Sequence, residues 1–222
     1  MKVCTSVHLV GGSELSDPSD CLVYAVDRSE LVLIDCGTGP GWRRIRENLK
    51  DAELDPNQIH TLVLTHCHVD HIGAAEQVLA DSPDVRVVAH ALDAEAIESG
   101  DGRRTASRWY GVELPGVKVT HRVEGEEETL AFSGGELKLI HTPGHTPGSM
   151  AALLDVAGHR VLFGQDIHGP FNEDFGSDIA AWKRSMDKLL ALEADILCEG
   201  HYGIFRGLDG VRGFIESHLA MH

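Results

Sequence analysis

Thr61-Leu62-Val63-Leu64-Thr65-His66-Cys67-His68-Val69-Asp70-His71 runs from an apolar strand into four side chains with metal-binding donors, His66, His68, Asp70 and His71, within six positions. An extended backbone alternates its side chains, so His66 and His68 project to one side. The turn into a following helix then swings Asp70 and His71 toward a second point, and one short loop can serve two metals. Imidazole nitrogen and carboxylate oxygen suit Zn, Fe or Mn, and the lack of thiolate ligands argues against a closed structural zinc site.

Three further segments extend the pattern. Thr142-Pro143-Gly144-His145-Thr146-Pro147-Gly148-Ser149 holds one histidine in a loop whose prolines and glycines over-determine the backbone. Phe163-Gly164-Gln165-Asp166 puts a carboxylate at a strand end, and Glu199-Gly200-His201-Tyr202 puts a histidine just beyond another. Singly, each reads as a cap or a surface residue. In this order after the histidine loop they form a specific set.

The combination resembles the metallo-β-lactamase superfamily, from the first strand to His201. That resemblance implies an α/β fold, an αββα four-layer sandwich with metals in a cleft at one edge of its two sheets. Carried over by position, His66, His68 and His145 would hold one metal and Asp70, His71 and His201 a second, with Asp166 bridging them. The implied cofactors are two divalent ions, Zn first, with Fe or Mn as alternatives. Two such ions bring the pKa of a bridging water from 15.7 toward roughly 7. A bridging hydroxide would then attack an ester, thioester or lactone, with Asp70 as the catalytic residue that orients it and passes on its proton.

Within the superfamily the chain is similar to glyoxalase II and to iron-dependent persulfide dioxygenases, and the Thr-His-Cys-His-x-Asp-His loop with Cys67 suits the latter. In both, a Gly-Cys-Gly-Arg-type segment follows the bridging aspartate, whereas Ile167-His168-Gly169-Pro170-Phe171 stands here. The branch is therefore unassigned. The alternatives to a hydrolase are a persulfide dioxygenase and a non-catalytic metal-binding module. Cys67 itself reads as a small buried residue.

Between Ser99 and Gly116 periodicity gives way to Gly, Arg and aromatic residues, in the position of a lid over the metals. Arg103, Arg104, Arg108, Trp109 and Tyr110 are candidate substrate contacts there, with a solvated, loop-anchoring face as the alternative. His168 is placed to reach the cleft as proton donor or substrate contact, and Tyr202 to donate a hydrogen bond to an oxyanion. The other eight of the 14 histidines, among them His90, His141 and His218, lack ligand spacing and read as surface or satisfied strand residues.

Farther out, Val3–Val10, Cys21–Val26 and Leu31–Asp35 read as an antiparallel meander, followed by β-α alternation. A helix is expected over Ile72–Ala80, strands over Val117–Arg122, Glu136–His141, Met150–Asp155, Val161–Gly164 and Asp195–Cys198, and a last helix over Val211–Met221. Ile179–Leu192 places Ile179, Trp182, Met186, Leu189 and Leu190 on one helix face, so these residues are expected in the core.

At 222 residues, 42% hydrophobic and 24% charged, the chain is expected to form one domain over 1–222. Its 35 acidic against 19 basic residues leave -16, a field that repels phosphate backbones and anionic headgroups. The expected partner is a small-molecule substrate, not nucleic acid or membrane. Five scattered cysteines without a CxxC pair, and no apolar leader at the start, fit a reducing cytoplasm.

Overall fold

The computed structural model describes residues 1–222. The strand that leads into the histidine loop lies inside a seven-stranded sheet whose strands follow one another in chain order. These are β1 (Lys2–Cys4), β2 (Val7–Gly11), β3 (Val23–Asp27), β4 (Leu31–Ile34), β5 (Ile59–Val63), β6 (Arg86–His90) and β7 (His121–Val123). β1 to β4 form the expected antiparallel meander, and β4 to β7 pair in parallel.

Parallel neighbours need a crossover. It is supplied by α1 (Trp42–Asp51), then by α2 (Val69–Ile72) with α3 (Ala75–Asp81), then by α4 (Ala91–Ser99) with α5 (Ser107–Tyr110). The second sheet has six strands, β8 (Glu127–Phe132), β9 (Gly135–His141), β10 (Met150–Val156), β11 (His159–Gln165), β12 (Ile196–Glu199) and β13 (Ile204–Arg206). It is antiparallel except between β11 and β12, where α6 (Ile179–Ala191) makes the crossover. α7 (Leu208–Leu219) follows β13.

The apolar side chains fall into three layers. Leu9, Tyr24 and Val63 of the first sheet meet Leu139, Ala152 and Phe163 of the second. Ile45 and Leu49 of α1, Val78 of α3 and Ile97 of α4 cover the outside of the first sheet. Trp182, Met186 and Leu189 of α6 cover the second with Phe214 and Ile215 of α7. Strands buried on both faces carry unbroken apolar runs such as Leu31–Ile34. The result is the αββα sandwich that the resemblance to the superfamily implied. No helix is long and apolar enough to cross a membrane.

Several boundaries differ from expectation. Val3–Val10 is two strands, because Ser6 takes a left-handed backbone (φ 62°) and turns the chain between them. The helix expected over Ile72–Ala80 is two, α2 and α3, broken where Gly73 passes so close to Thr38 that a Cβ would lie 2.2 Å from its carbonyl oxygen. Val117–Arg122 is mostly irregular, and β7 begins at His121. β8 escaped notice because Glu127, Glu128 and Thr129 obscure an alternation that buries only Leu130 and Phe132. Ile179 shares the face of Trp182, Met186 and Leu189 but is 41% exposed, because it is the first residue of α6, at the end of that face. His90 and His141, expected to be unremarkable, stack face to face at 3.9 Å.

Every segment singled out for donors lies just beyond the carboxyl end of a strand: the histidine loop after β5, His145 after β9, Asp166 after β11 and His201 after β12. Contacts between the sheets hold these ends together. Met150 N donates to Thr65 O at 2.8 Å, and the buried Tyr24 hydroxyl donates to Glu199 O at 2.9 Å.

Candidate metal centre

Two donor clusters form at this edge. His66, His68, His145 and Asp166 offer atoms within 4.8 Å of one another, as do Asp70, His71, Asp166 and His201. Asp166 belongs to both. Its Oδ2 lies 3.9 Å from His66 Nε2 and 3.6 Å from His145 Nε2, while its Oδ1 lies 3.1 Å from His71 Nε2 and 3.2 Å from His201 Nε2. One carboxylate oxygen therefore faces each cluster. Asp70 Oδ2 completes the second, 3.2 Å from His201 Nε2 and 3.5 Å from His71 Nε2.

Buried polar atoms ordinarily find partners. Here His66 Nε2, His71 Nε2 and Asp166 Oδ1 are buried with no hydrogen bond, and His68 Nε2 is also without one. His68 Nδ1 and His145 Nε2 approach to 2.9 Å. Unpartnered nitrogen and carboxylate atoms converging on shared points are what a divalent cation satisfies, so the donor set fits two metal ions.

The rings are aimed by their other nitrogens. His71 Nδ1 is 2.7 Å from Asp35 Oδ2, and His145 Nδ1 is 2.7 Å from Pro170 O, which directs each Nε2 inward. Asp35, fully buried at the end of β4, also accepts from Thr65 N and Thr65 Oγ1, both at 2.8 Å, and from Gln165 Nε2. A second buried carboxylate, Asp93 of α4, accepts from Cys67 N at 3.1 Å, Thr146 Oγ1 at 2.6 Å and Gly148 N at 2.9 Å. It thereby ties the two loops that carry the first cluster's histidines. A third, Glu199, accepts from His201 N at 2.7 Å, Tyr202 N at 2.8 Å and His168 Nδ1 at 2.5 Å. Gly200 is required beside it, because a Cβ there would lie 2.3 Å from Asp166 Oδ1. Motif reading missed all three carboxylates. The available signal was position: Asp35 and Glu199 each end an apolar strand, where a charge is buried only with partners.

Among the protein's own charges, the clusters differ. Burial, reinforced by His71, His68 and His145, holds His66 well below the ordinary histidine range, and burial and the neighbouring His145 do the same to His68. Burial also lowers His145. In the second cluster burial opposes charge on His201, yet the facing Asp166 and Asp70 carboxylates outweigh it and raise the ring to about 10. Burial is likewise outweighed at His71, where Cys21, Asp166, Asp70 and Asp35 raise the ring well above its usual value. Burial would raise Asp166, but His71 and His201 hold it well below the carboxylate range.

A cleft of about 250 Å³ opens onto His68, Asp70, Asp166 and His201. Trp109, Tyr110 and His168 line it as expected, together with Ala106, Pro170 and Phe175. The three arginines do not. Arg103 pairs with Asp174 at 2.6 Å, Arg104 donates to Leu92 O at 2.7 Å, and Arg108 lies exposed outside the lining. Tyr202 is 62% exposed and outside the lining itself; its ring packs against Phe214 and, at 4.9 Å, against the lining residue His168. Cys67 is fully buried, its Sγ donates to Arg104 O, and burial holds the thiol well above its usual pKa, which makes it a packing residue.

The fold and the paired donor clusters define the class: a sandwich built to hold divalent metals at one sheet edge. The sequence pattern of the metallo-beta-lactamase superfamily matches residues 16–201, and the chain belongs to that superfamily, whose members bind divalent metals and are generally metal-dependent hydrolases. The probable metallo-hydrolase YflN of Bacillus subtilis is 28% identical, over 77% of this chain and 75% of that protein. The 2,4-dinitroanisole O-demethylase subunit alpha of Nocardioides is 27% identical, and thioesterase pkgB of Emericella nidulans 25%, each over 78% of this chain. The match spans only 49% of the first and 43% of the second, so this chain corresponds to about half of each. A metallo-beta-lactamase from Cronobacter sakazakii superposes with a TM-score of 0.84 at 19% identity, over 100% of this chain and 94% of that one, a likeness of fold.

Proposed function

We propose that the protein is a dinuclear metal-dependent hydrolase of a small ester, thioester or lactone. The observation that carries this reading is Asp166, one buried carboxylate presenting a separate oxygen to each of two donor clusters. His66, His68 and His145 would hold one ion and Asp70, His71 and His201 the other, with Zn favoured by the nitrogen-rich first cluster. Bound there, the two ions would supply an acidified water as nucleophile and Lewis-acid polarisation of the substrate carbonyl.

The chain's own residues do the rest. Asp70 lines the cleft with its carboxylate held by His201 and His71, which places it to orient the attacking water and take up its proton. Asp35 keeps His71 in one tautomer. The superfamily relative named as a thioesterase agrees with acyl-transfer chemistry.

Metal analysis of the isolated protein, followed by a screen of esters, thioesters and lactones with and without oxygen, tests this reading. About two ions per chain and hydrolysis that persists under anaerobic conditions are expected. A folded protein that takes up no divalent metal would sink it, and turnover of glutathione persulfide with oxygen uptake would replace it with the dioxygenase reading.

A further inference from the structure

Beyond the donors the cleft is lined by Trp109, Tyr110 and Phe175, with Ala106, Pro170 and His168, and by no arginine or lysine. Trp109 is 58% exposed and Tyr110 42% exposed, on the single turn of α5. The Trp109 ring leans on Phe175 at 4.8 Å, and Phe175 in turn meets His68 at 4.3 Å. An aromatic shelf therefore runs from the exposed Trp109 ring, through the buried Phe175, to a donor of the first cluster. Open rings of this size are unfavourable in water and gain most when a flat apolar group covers them.

The side chains that would read an anion on a substrate are turned elsewhere. Arg103 is committed to Asp174, Arg104 to Leu92 O with Asp93 3.8 Å away, and Arg108 is outside the lining. Around the cleft stands a chain of formal charge -16. A carboxylate on the substrate, away from the reacting carbonyl, would find no arginine or lysine on this wall to pair with and would meet that field beyond the metal centre.

We infer that the Trp109, Tyr110 and Phe175 shelf selects substrates with a neutral aryl or similarly flat apolar group and disfavours anionic acyl groups. This names the substrate class of the hydrolase reading and rests on that reading for turnover, though not for binding.

The test uses the metal-loaded protein and three thioesters of one leaving thiol, N-acetylcysteamine, carrying phenylacetyl, butyryl or succinyl groups. The order of kcat/KM should be phenylacetyl, butyryl, succinyl. Trp109→Ala should raise KM for the phenylacetyl thioester about tenfold more than for the butyryl one, and Trp109→Phe should recover most of the difference. A preference for succinyl, or an equal KM change for all three, overturns the proposal. A second arm needs no turnover: phenylacetamide should quench the fluorescence that Trp109→Phe removes, and succinamate should not. If no thioester is cleaved but this quenching holds, the hydrolase reading falls and the shelf stands. If Trp109→Ala instead converts a dimer to a monomer by sedimentation and abolishes no quenching, the shelf is an interface between copies and the proposal is wrong.

Discussion

The two donor clusters share Asp166 but are built in opposite ways. In the first, the donors are all buried, the rings are kept neutral by burial, and the loops that carry them are pinned by Asp93 through backbone and hydroxyl contacts. In the second, Asp70 and Asp166 attract protons onto His71 and His201, the His201 side chain is 34% exposed, and its backbone hangs from Glu199. Metal entering the first cluster finds lone pairs ready. Metal entering the second would displace protons and meet a ligand at the solvent edge. The difference teaches that identical ring chemistry is set to two states by what surrounds it.

Asp166→Ala breaks the comparison most completely, because it removes the one residue that faces both sides. Metal content should fall toward zero and activity by at least about 100-fold, more than the 10–100-fold typical of losing a residue that only supports a ligand. Next come the single-cluster changes. His66→Ala should leave an ion held at the second cluster and His201→Ala one at the first, separable by Co²⁺ absorption and by metal content.

Supporting carboxylates give a finer cut. Asp93→Asn should weaken the first cluster's metal affinity about 10–100-fold and spare the second, and Asp35→Asn should weaken chiefly the second through His71, with a smaller effect on the first through Thr65 beside His66. Competition with a chromophoric chelator reads both constants. Equal loss at both clusters from either change would erase the distinction drawn here.

The charge states give a pH dependence. In protein stripped of metal, His201, raised to about 10, stabilises the fold fully below pH 6.5, and that contribution is lost as pH rises from there through about 10. His66 and His68, held low, contribute above pH 6.5 and lose that contribution as pH falls below it. Urea unfolding of stripped protein should therefore weaken on both sides, and reloading at pH 7 should release protons chiefly on the second equivalent, measurable with an indicator dye. The smallest effect belongs to Cys67→Ala, which should cost about 1 kcal/mol of stability or less and leave both metal constants in place. A large loss of metal would return the thiol to the site.

The seven candidate donors stood out in the sequence, four through their spacing in one loop and His145, Asp166 and His201 only through the resemblance to the superfamily. The supporting residues did not. Asp93 sits in Ala91-Leu92-Asp93-Ala94, an ordinary helix start, and only packing against Thr146 and Gly148 reveals its use. The arginines of the 99–116 segment misled for the same reason. A sequence shows that they are cationic, but their partners Asp174 and Leu92 lie far along the chain or on another element.

From sequence alone came the strands and the local motifs, and through the resemblance those motifs carry came the superfamily, the sandwich and the candidate donors, because periodicity and motif spacing are properties of neighbouring residues. Tertiary structure alone decided how charge is shared between the clusters, which carboxylates aim the rings, and that the cleft wall presents aromatic rings and no arginine or lysine. Those properties depend on burial and on contacts across long separations: Tyr24 with Glu199, Asp93 with Gly148, Asp35 with Gln165. Pattern along a chain does not encode desolvation, and desolvation sets the chemistry of a buried imidazole or carboxylate.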